Sequence, residues 1–206
     1  YQMLGEVEKI FKKWSPAIFL GWSNIGFDDE MIRKEFFKGI RYPYITNASP
    51  NKRHDGINIA RAAYAVDTSV LETEINEKNN PVFKLESLAR MQGLDSSDAH
   101  SALTDATLTA NILSIIKKRQ PSTWDMFLRT ANKLDTETIF KKEEIFSLNE
   151  YFYGKSRLYL CAPLHPKHCI HPVYNWGQCV DIRVDIEPIL NMSINELKVE
   201  MKKTPK

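Results

Sequence analysis

Residues 17–22 read Ala-Ile-Phe-Leu-Gly-Trp, a short and nearly continuous apolar run. Such a run, without polar alternation, suits a strand covered on both faces, as in an α/β sheet. The flanking segments agree. Met3, Leu4, Val7, Ile10, Phe11 and Trp14 recur at helical spacing with charges between them, and Ser15-Pro16 ends that helix. Past the strand, Ser23-Asn24-Ile25-Gly26-Phe27 makes a strand-to-helix loop, and Asp28-Asp29-Glu30 opens a helix carrying Met31, Ile32, Phe36 and Phe37. Carboxylates in that first turn suit the positive end of the helix dipole.

Downstream, residues 41–55 predict a loop rich in Pro, Asn and Ser, and 57–65 a small-residue helix. Residues 67–81 are polar and aperiodic, which predicts a surface loop. Phe83 to Gln92 predicts a short helix stopped by Gly93. Ser96 or Ser97 caps a long helix to about Lys118, with an apolar seam of Leu103, Ala106, Ala110 and Leu113. The texture changes at Gln120-Pro121, and residues 121–150 read as less regular helices and loops. Strands are expected at Leu158–Ala162 and Cys179–Ile186. In the second, Val180, Ile182, Val184 and Ile186 alternate with Asp181, Arg183 and Asp185. Ser193 with Glu196 matches a capping box. The expected division is a domain of residues 1–120 and a second of residues 121–206.

No apolar run of about 18 residues occurs, so no membrane span is expected. A chain that begins at Tyr1 and enters an amphipathic segment is expected to have its true N-terminus upstream. Net charge is only +2, so overall charge does not announce a nucleic-acid binder. Lys12-Lys13, Arg33-Lys34 with Lys38 and Arg41, Lys52-Arg53, Lys117-Lys118-Arg119 and Lys202-Lys203 are either solvated helix faces or a local positive field. Cys161, Cys169 and Cys179 are no disulfide framework and suit a reducing cytoplasm. Together with His165, His168 and His171 they match no regular zinc spacing, and zinc is not expected there.

Two patterns carry candidate chemistry. Asn24-Ile25-Gly26-Phe27-Asp28 puts a carboxylate just past a buried strand, where it could hold a hard cation or simply cap the helix. His100-Ser101-Ala102-Leu103-Thr104-Asp105 separates a base from a carboxylate by about 7.5 Å of helix rise. Both could border one cleft if His100 lies in a frayed first turn; each could equally be solvated.

Taken together, the two patterns resemble the second and third motifs of the DEDDh exonucleases, and within them the bacterial exodeoxyribonuclease I family. Phe27-Asp28-Asp29-Glu30 with Arg33, Pro43-Tyr44, Arg61-Ala62, Phe83-Lys84-Leu85-Glu86, Asp98-Ala99-His100, Lys118-Arg119-Gln120-Pro121 and Ala162-Pro163-Leu164 resemble that family's landmarks. The likeness is clearest over residues 17–121. It implies an α/β chain: an RNase H-like exonuclease domain without its first strands, then part of an SH3-like domain. It implies that Asp28 and Asp105 bind two Mg²⁺ ions, with Mn²⁺ as an alternative, and that His100 is the general base. Arg33, Tyr44, Arg61, Lys84 and Lys133 would contact single-stranded DNA. The family usually has arginine where Lys84 stands, and lysine lacks the bidentate fork; from the residues alone, Arg61 and Lys84 read as helix-surface charge.

The implied activity is 3′→5′ removal of 5′-mononucleotides from single-stranded DNA in repair and recombination, by a cytoplasmic monomer that also binds single-stranded DNA-binding protein. The family's first motif, Asp-x-Glu on a strand, is not found before residue 17, since Glu6 and Glu8 sit in the helical segment. The chain is therefore expected to be an internal piece, inactive alone. Two alternatives remain at this point: a related exoribonuclease or oligonucleotidase, and a non-catalytic nucleic-acid-binding module.

Overall fold

The computed structural model describes residues 2–96, 101–131, 133–142, 145–164, 167 and 169–203. The described chain is α/β and groups into two compact units. One comprises residues 1–139 with 149–158, the other residues 140–148 with 159–206. The change of texture at residue 120 falls at a helix junction inside the first unit.

In the first unit, α1 (Gln2–Trp14) leads into β1 (Ile18–Gly21), α2 (Asp28–Lys38), β2 (Lys52–Asp55) and α3 (Gly56–Val66). Then come α4 (Leu85–Met91), α5 (Ala102–Arg119), α6 (Pro121–Arg129) and α7 (Lys133–Lys141). Strands β1 and β2 are parallel, in a register running from Ile18 opposite Lys52 to Gly21 opposite Asp55. Helix α2 is the crossover between them. Strand β2 was not foreseen, because Lys-Arg-His-Asp carries no apolar pattern. Its ladder is reinforced at one end by Asn51, whose Oδ1 accepts from Ala17 N–H at 3.0 Å.

The core gathers Ile59, Ala60 and Ala63 of α3, Leu88 and Ala89 of α4, Leu108, Ile112, Leu113 and Ile116 of α5, and Trp124 of α6. Helix α5 therefore has two apolar faces. Leu108, Ile112 and Ile116, at i, i+4 and i+8, enter the core. The expected seam is corrected: Leu103 is 79% exposed, while Ala106, Ala110 and Leu113 line a hollow of about 300 Å³ with Leu20 of β1, Ser114, Lys117 and Trp124. The start of α5 is corrected too. Ser101 is the residue before its first turn, with extended backbone (ψ 133°), and Ser96 is not helical. Ser97 lies outside the described residues. β1 is half-buried along its length rather than fully covered, since among the described residues only β2 pairs with it.

Strands β3 (Phe146–Phe152), β4 (Lys155–Pro163) and β5 (Cys179–Asp181) form a three-stranded sheet in that order. β3 stands where helix and loop were expected. Tyr153 and Gly154, both at positive φ (49° and 79°), make the two-residue turn between β3 and β4, the geometry of a tight antiparallel hairpin. Its tip, residues 149–158, groups with the first unit. In the second unit, β4 and β5 pair antiparallel, Cys161 opposite Asp181. β5 is shorter than the predicted 179–186, because residues 182–184 turn away and Asp181 instead binds Arg183 at 2.6 Å. The helices α8 (Glu187–Leu190) and α9 (Ile194–Glu200) follow, α9 with the Ser193–Glu196 capping box in place. Among the described residues no helix is long and apolar enough to cross a membrane.

Candidate functional site

The loop between β1 and α2 is held by a small set of buried polar groups. Asp55, at the end of β2, is buried and accepts from Ser23 N–H at 2.8 Å and from Ile57 N–H at 3.2 Å. One carboxylate thus caps α3 and anchors the first residues of the loop. Asn24 is buried as well. Its carbonyl oxygen accepts from Phe27 N–H at 3.2 Å and Asp29 N–H at 3.0 Å. Oriented with its side-chain nitrogen as donor, it reaches the backbone oxygens of His54 and Gly21 at 3.3 Å. A Cβ on Gly56 would stand 2.7 Å from Gly21 O, so only glycine lets β1 and α3 approach this closely.

This framework delivers two adjacent carboxylates to different surroundings. Asp28, the first residue of α2, is exposed. Asp29 is 5% exposed and pairs with Arg53 of β2 at 3.1 Å. Asp29 is the structural acid. Asp28 is open to a ligand.

Asp105 is half-buried in the first turn of α5, its N–H donating to Ser101 O at 2.9 Å. Its neighbour Ala106 lines the hollow that also contains Leu20, so the helix bearing Asp105 and the strand that leads to Asp28 border one hollow. His100 lies outside the described residues. Among the described residues, no three His, Cys, Asp or Glu side chains gather as a metal-binding group. The donors at hand, two carboxylates, match the hard-oxygen chemistry of Mg²⁺ but make only part of a ligand set.

The residues expected to contact a nucleic acid fall into three places. Arg33 and Tyr44 come together, the guanidinium 5.2 Å from the ring centroid, while Arg33 also binds Glu30 at 2.6 Å. Arg61 lies 3.6 Å from the centroid of Tyr151, on the hairpin tip. Phe83 packs edge-on against both Tyr64 (5.6 Å) and Tyr151 (6.2 Å), and Lys84, exposed, follows it directly at the start of α4. Lys133 opens α7 and faces Glu137 at 3.7 Å; no contact on these surfaces links it to the other four. Burial pushes the Arg61 pKa below its ordinary value, and the neighbouring Tyr151 and Asp55 offset part of that.

Sequence reasoning missed Asp55 and Tyr151. An acid followed by glycine at the head of a helical pattern could have flagged Asp55 as a cap. Tyr151 carries no local signal, since its partner lies 90 positions upstream (151 − 61 = 90). In the second unit, Cys161, Cys169 and Cys179 are free thiols. His165 and His168 lie outside the described residues.

No family model matches the chain. Curated relatives do. Exodeoxyribonuclease I of Buchnera aphidicola subsp. Acyrthosiphon pisum is 29% identical over 186 residues, covering 86% of this chain and 44% of that protein. Exodeoxyribonuclease I of Escherichia coli is 27% identical over 208 residues, covering 94% of this chain and 43% of the other. The chain thus spans less than half the length of these relatives. Among solved structures, E. coli Exonuclease I in complex with a dA16 oligonucleotide superposes with a TM-score of 0.76 at 25% identity, over 98% of this chain and 44% of that one. Similar structures include the zinc ion bound form of the E. coli ExoI–ssDNA complex (TM-score 0.73, 25% identity, 98% and 43% covered). An ExoI/SSB-Ct complex also matches (TM-score 0.70, 25% identity, 98% and 45% covered).

Proposed function

This chain is a relative of bacterial exodeoxyribonuclease I across most of its length, and on that premise we propose that the protein carrying it degrades single-stranded DNA from the 3′ end. The products are 5′-mononucleotides and the bond cleaved is the terminal phosphodiester. Residues 1–120, which lie within the first unit, are then the RNase H-like exonuclease domain. The sheet β3-β4-β5 belongs to an SH3-like domain that follows it, with the boundary near residue 120.

The observation that carries this reading is the placement of two carboxylates around one strand. Asp28 is exposed past the end of β1, and Asp105 starts the helix that borders a hollow together with β1. Asp28 and Asp105 would hold divalent cations, Mg²⁺ in the first instance. Bound there, such ions supply positive charge to the phosphate oxygens and acidify the attacking water. The zinc-bound form of the similar enzyme supports a divalent site.

This chain's own residues do the rest. His100 takes the proton of the attacking water as general base. Arg33, Arg61, Lys84 and Lys133 neutralise strand phosphates, and Tyr44 offers a ring on which a base stacks without regard to sequence. Asp55 and Asn24 fix the loop that aims Asp28, so the carboxylate does not have to be ordered at each turnover.

The test is degradation of matched DNA and RNA oligonucleotides by the intact protein in Mg²⁺. Stepwise shortening of 5′-labelled single-stranded DNA, with RNA largely spared, is the expected result. Preference for RNA would replace this reading with an exoribonuclease. Binding without cleavage would leave a nucleic-acid-binding module. The ExoI/SSB-Ct complex supports a further contact, with the acidic tail of single-stranded DNA-binding protein. A pull-down with that peptide should exceed one with a scrambled peptide.

A further inference from the structure

Arg61 differs from most arginines of the described chain in making no salt bridge, although Asp55 lies near enough to favour its charge. Arg33, Arg41, Arg53, Arg90 and Arg183 each pair with a carboxylate. Arg61 has one marginal hydrogen bond, to Asn58 Oδ1 at 3.5 Å, and a buried Nε–H without a partner. A half-buried cation that has lost water and gained no paired counter-ion is costly, and the fold leaves Asp55 to offset only part of that cost. It supplies a ring instead. Tyr151, carried on the β3–β4 hairpin tip, covers the guanidinium at 3.6 Å, and Phe83 braces the same ring edge-on at 6.2 Å.

The hairpin itself is fitted to this place. At its turn, a Cβ on Gly154 would come within 3.0 Å of the Asn80 side chain, so the tip seats closely on the first unit. Stacking occupies a face of a guanidinium and leaves its N–H edge, the part that matches a phosphate, for a ligand. The same device recurs at Arg33 and Tyr44, with a looser spacing of 5.2 Å and with Glu30 already on the arginine. Arg61 makes no salt bridge among the described residues, and its N–H edge matches a strand phosphate in charge and shape.

We propose that Tyr151 is a positioning residue for the nucleic acid, its ring holding the Arg61 guanidinium flat so that the arginine presents its N–H edge to a backbone phosphate. This rests on the single-stranded DNA reading above and adds a residue from the following sheet to the strand-binding surface. The role runs through Arg61, so the loss on removing Tyr151 must vanish once Arg61 is gone.

The experiment measures binding of a fluorescent dT oligonucleotide to the intact protein in EDTA, which keeps the probe uncut. Tyr151→Leu should weaken binding about 3- to 30-fold, the span of a partly desolvated cation–π contact. Tyr151→Phe should stay within about 2-fold of the unaltered protein. Arg61→Gln should weaken binding and lower the slope of log affinity against log salt by about 0.7, one phosphate contact on a single strand. The double variant Tyr151→Leu with Arg61→Gln should bind no worse than Arg61→Gln alone. Replacing Tyr151 by pentafluorophenylalanine keeps the ring's shape and removes its negative face, so it should weaken binding even if the leucine variant folds poorly. Equal affinity for all rings, an unchanged leucine variant, or additive losses in the double variant would overturn the proposal. If the unaltered protein does not bind the oligonucleotide, the nuclease reading itself fails; if it binds and the Tyr151 variants match it, only this inference does.

Discussion

Asp28 and Asp29 are adjacent in sequence, yet one is exposed and the other is 5% exposed and paired with Arg53. Their variants should separate cleanly in the intact protein. On the proposed cation-holding role, Asp28→Asn should cost turnover by several orders of magnitude with little change in unfolding, because the side chain is exposed. Asp29→Ala should do the opposite, lowering stability by about 3 kcal/mol by leaving Arg53 without its acid, with a smaller effect on rate. Denaturant unfolding and a single-strand degradation assay on both variants check this. A stability loss for Asp28→Asn as large as that for Asp29→Ala would remove the distinction. Asp105→Asn should abolish most turnover while DNA binding persists. His100→Ala should slow the chemical step by about 10²–10⁴ in saturating Mg²⁺, the usual worth of a general base. Near-normal rates would remove that histidine from the mechanism.

At the scale of the element, β1, its loop and α3 are joined so tightly that a single methyl group is informative. In Gly56→Ala the new Cβ would meet Gly21 O at 2.7 Å and the Trp22 ring at 3.1 Å. That overlap is with backbone and should cost about 1–3 kcal/mol. Because the same joint fixes Asn24 and Ser23, the variant should also need more Mg²⁺ for half-maximal rate; an unchanged Mg²⁺ requirement would show that the joint does not aim Asp28. The sequence made α1, β1, α2, α3 and the Ser193 cap legible, because each rests on a local pattern: helical spacing, an apolar run, acids in a first turn, a capping box. It hid β2, whose Lys-Arg-His-Asp has no apolar face and is a strand only because β1 lies beside it. It misread the face of α5 for a similar reason. Leu103, Ala106, Ala110 and Leu113 do form a stripe, but Leu108, Ile112 and Ile116 form another, and packing against α3 and α4 buries the second stripe and, of the first, only Leu113. Asp28 and Asp105 could be named because their motifs are local. Tyr151 could not, since a hairpin must close before its ring meets Arg61.

For the molecule as a whole, the half-buried histidine of β2 ties stability to pH. His54 accepts from Asp55 N–H through Nδ1 at 2.9 Å and packs edge-on against Phe127 at 6.1 Å. Burial holds its pKa below the ordinary 6.5, and the neighbouring Asp55 opposes that only in part. The unfolded chain therefore binds a proton at a higher pH than the folded one. Above about 6.5 both states are neutral at this position and its contribution to stability is fully present. As pH falls below 6.5 toward the lowered folded value, the unfolded state takes up the proton first and stability declines. The slope from one such group cannot exceed about 1.4 kcal/mol per pH unit. Urea unfolding of the intact protein, followed by tryptophan fluorescence in steps from pH 7.5 to 5, should show this decline, and His54→Gln should remove its share of the slope. Loss of activity below pH 6 should therefore have a part, owed to His54, that added Mg²⁺ does not restore. Unfolding unchanged between pH 7.5 and pH 5.5 would show that folded His54 takes up its proton as readily as the unfolded chain does and carries no such linkage.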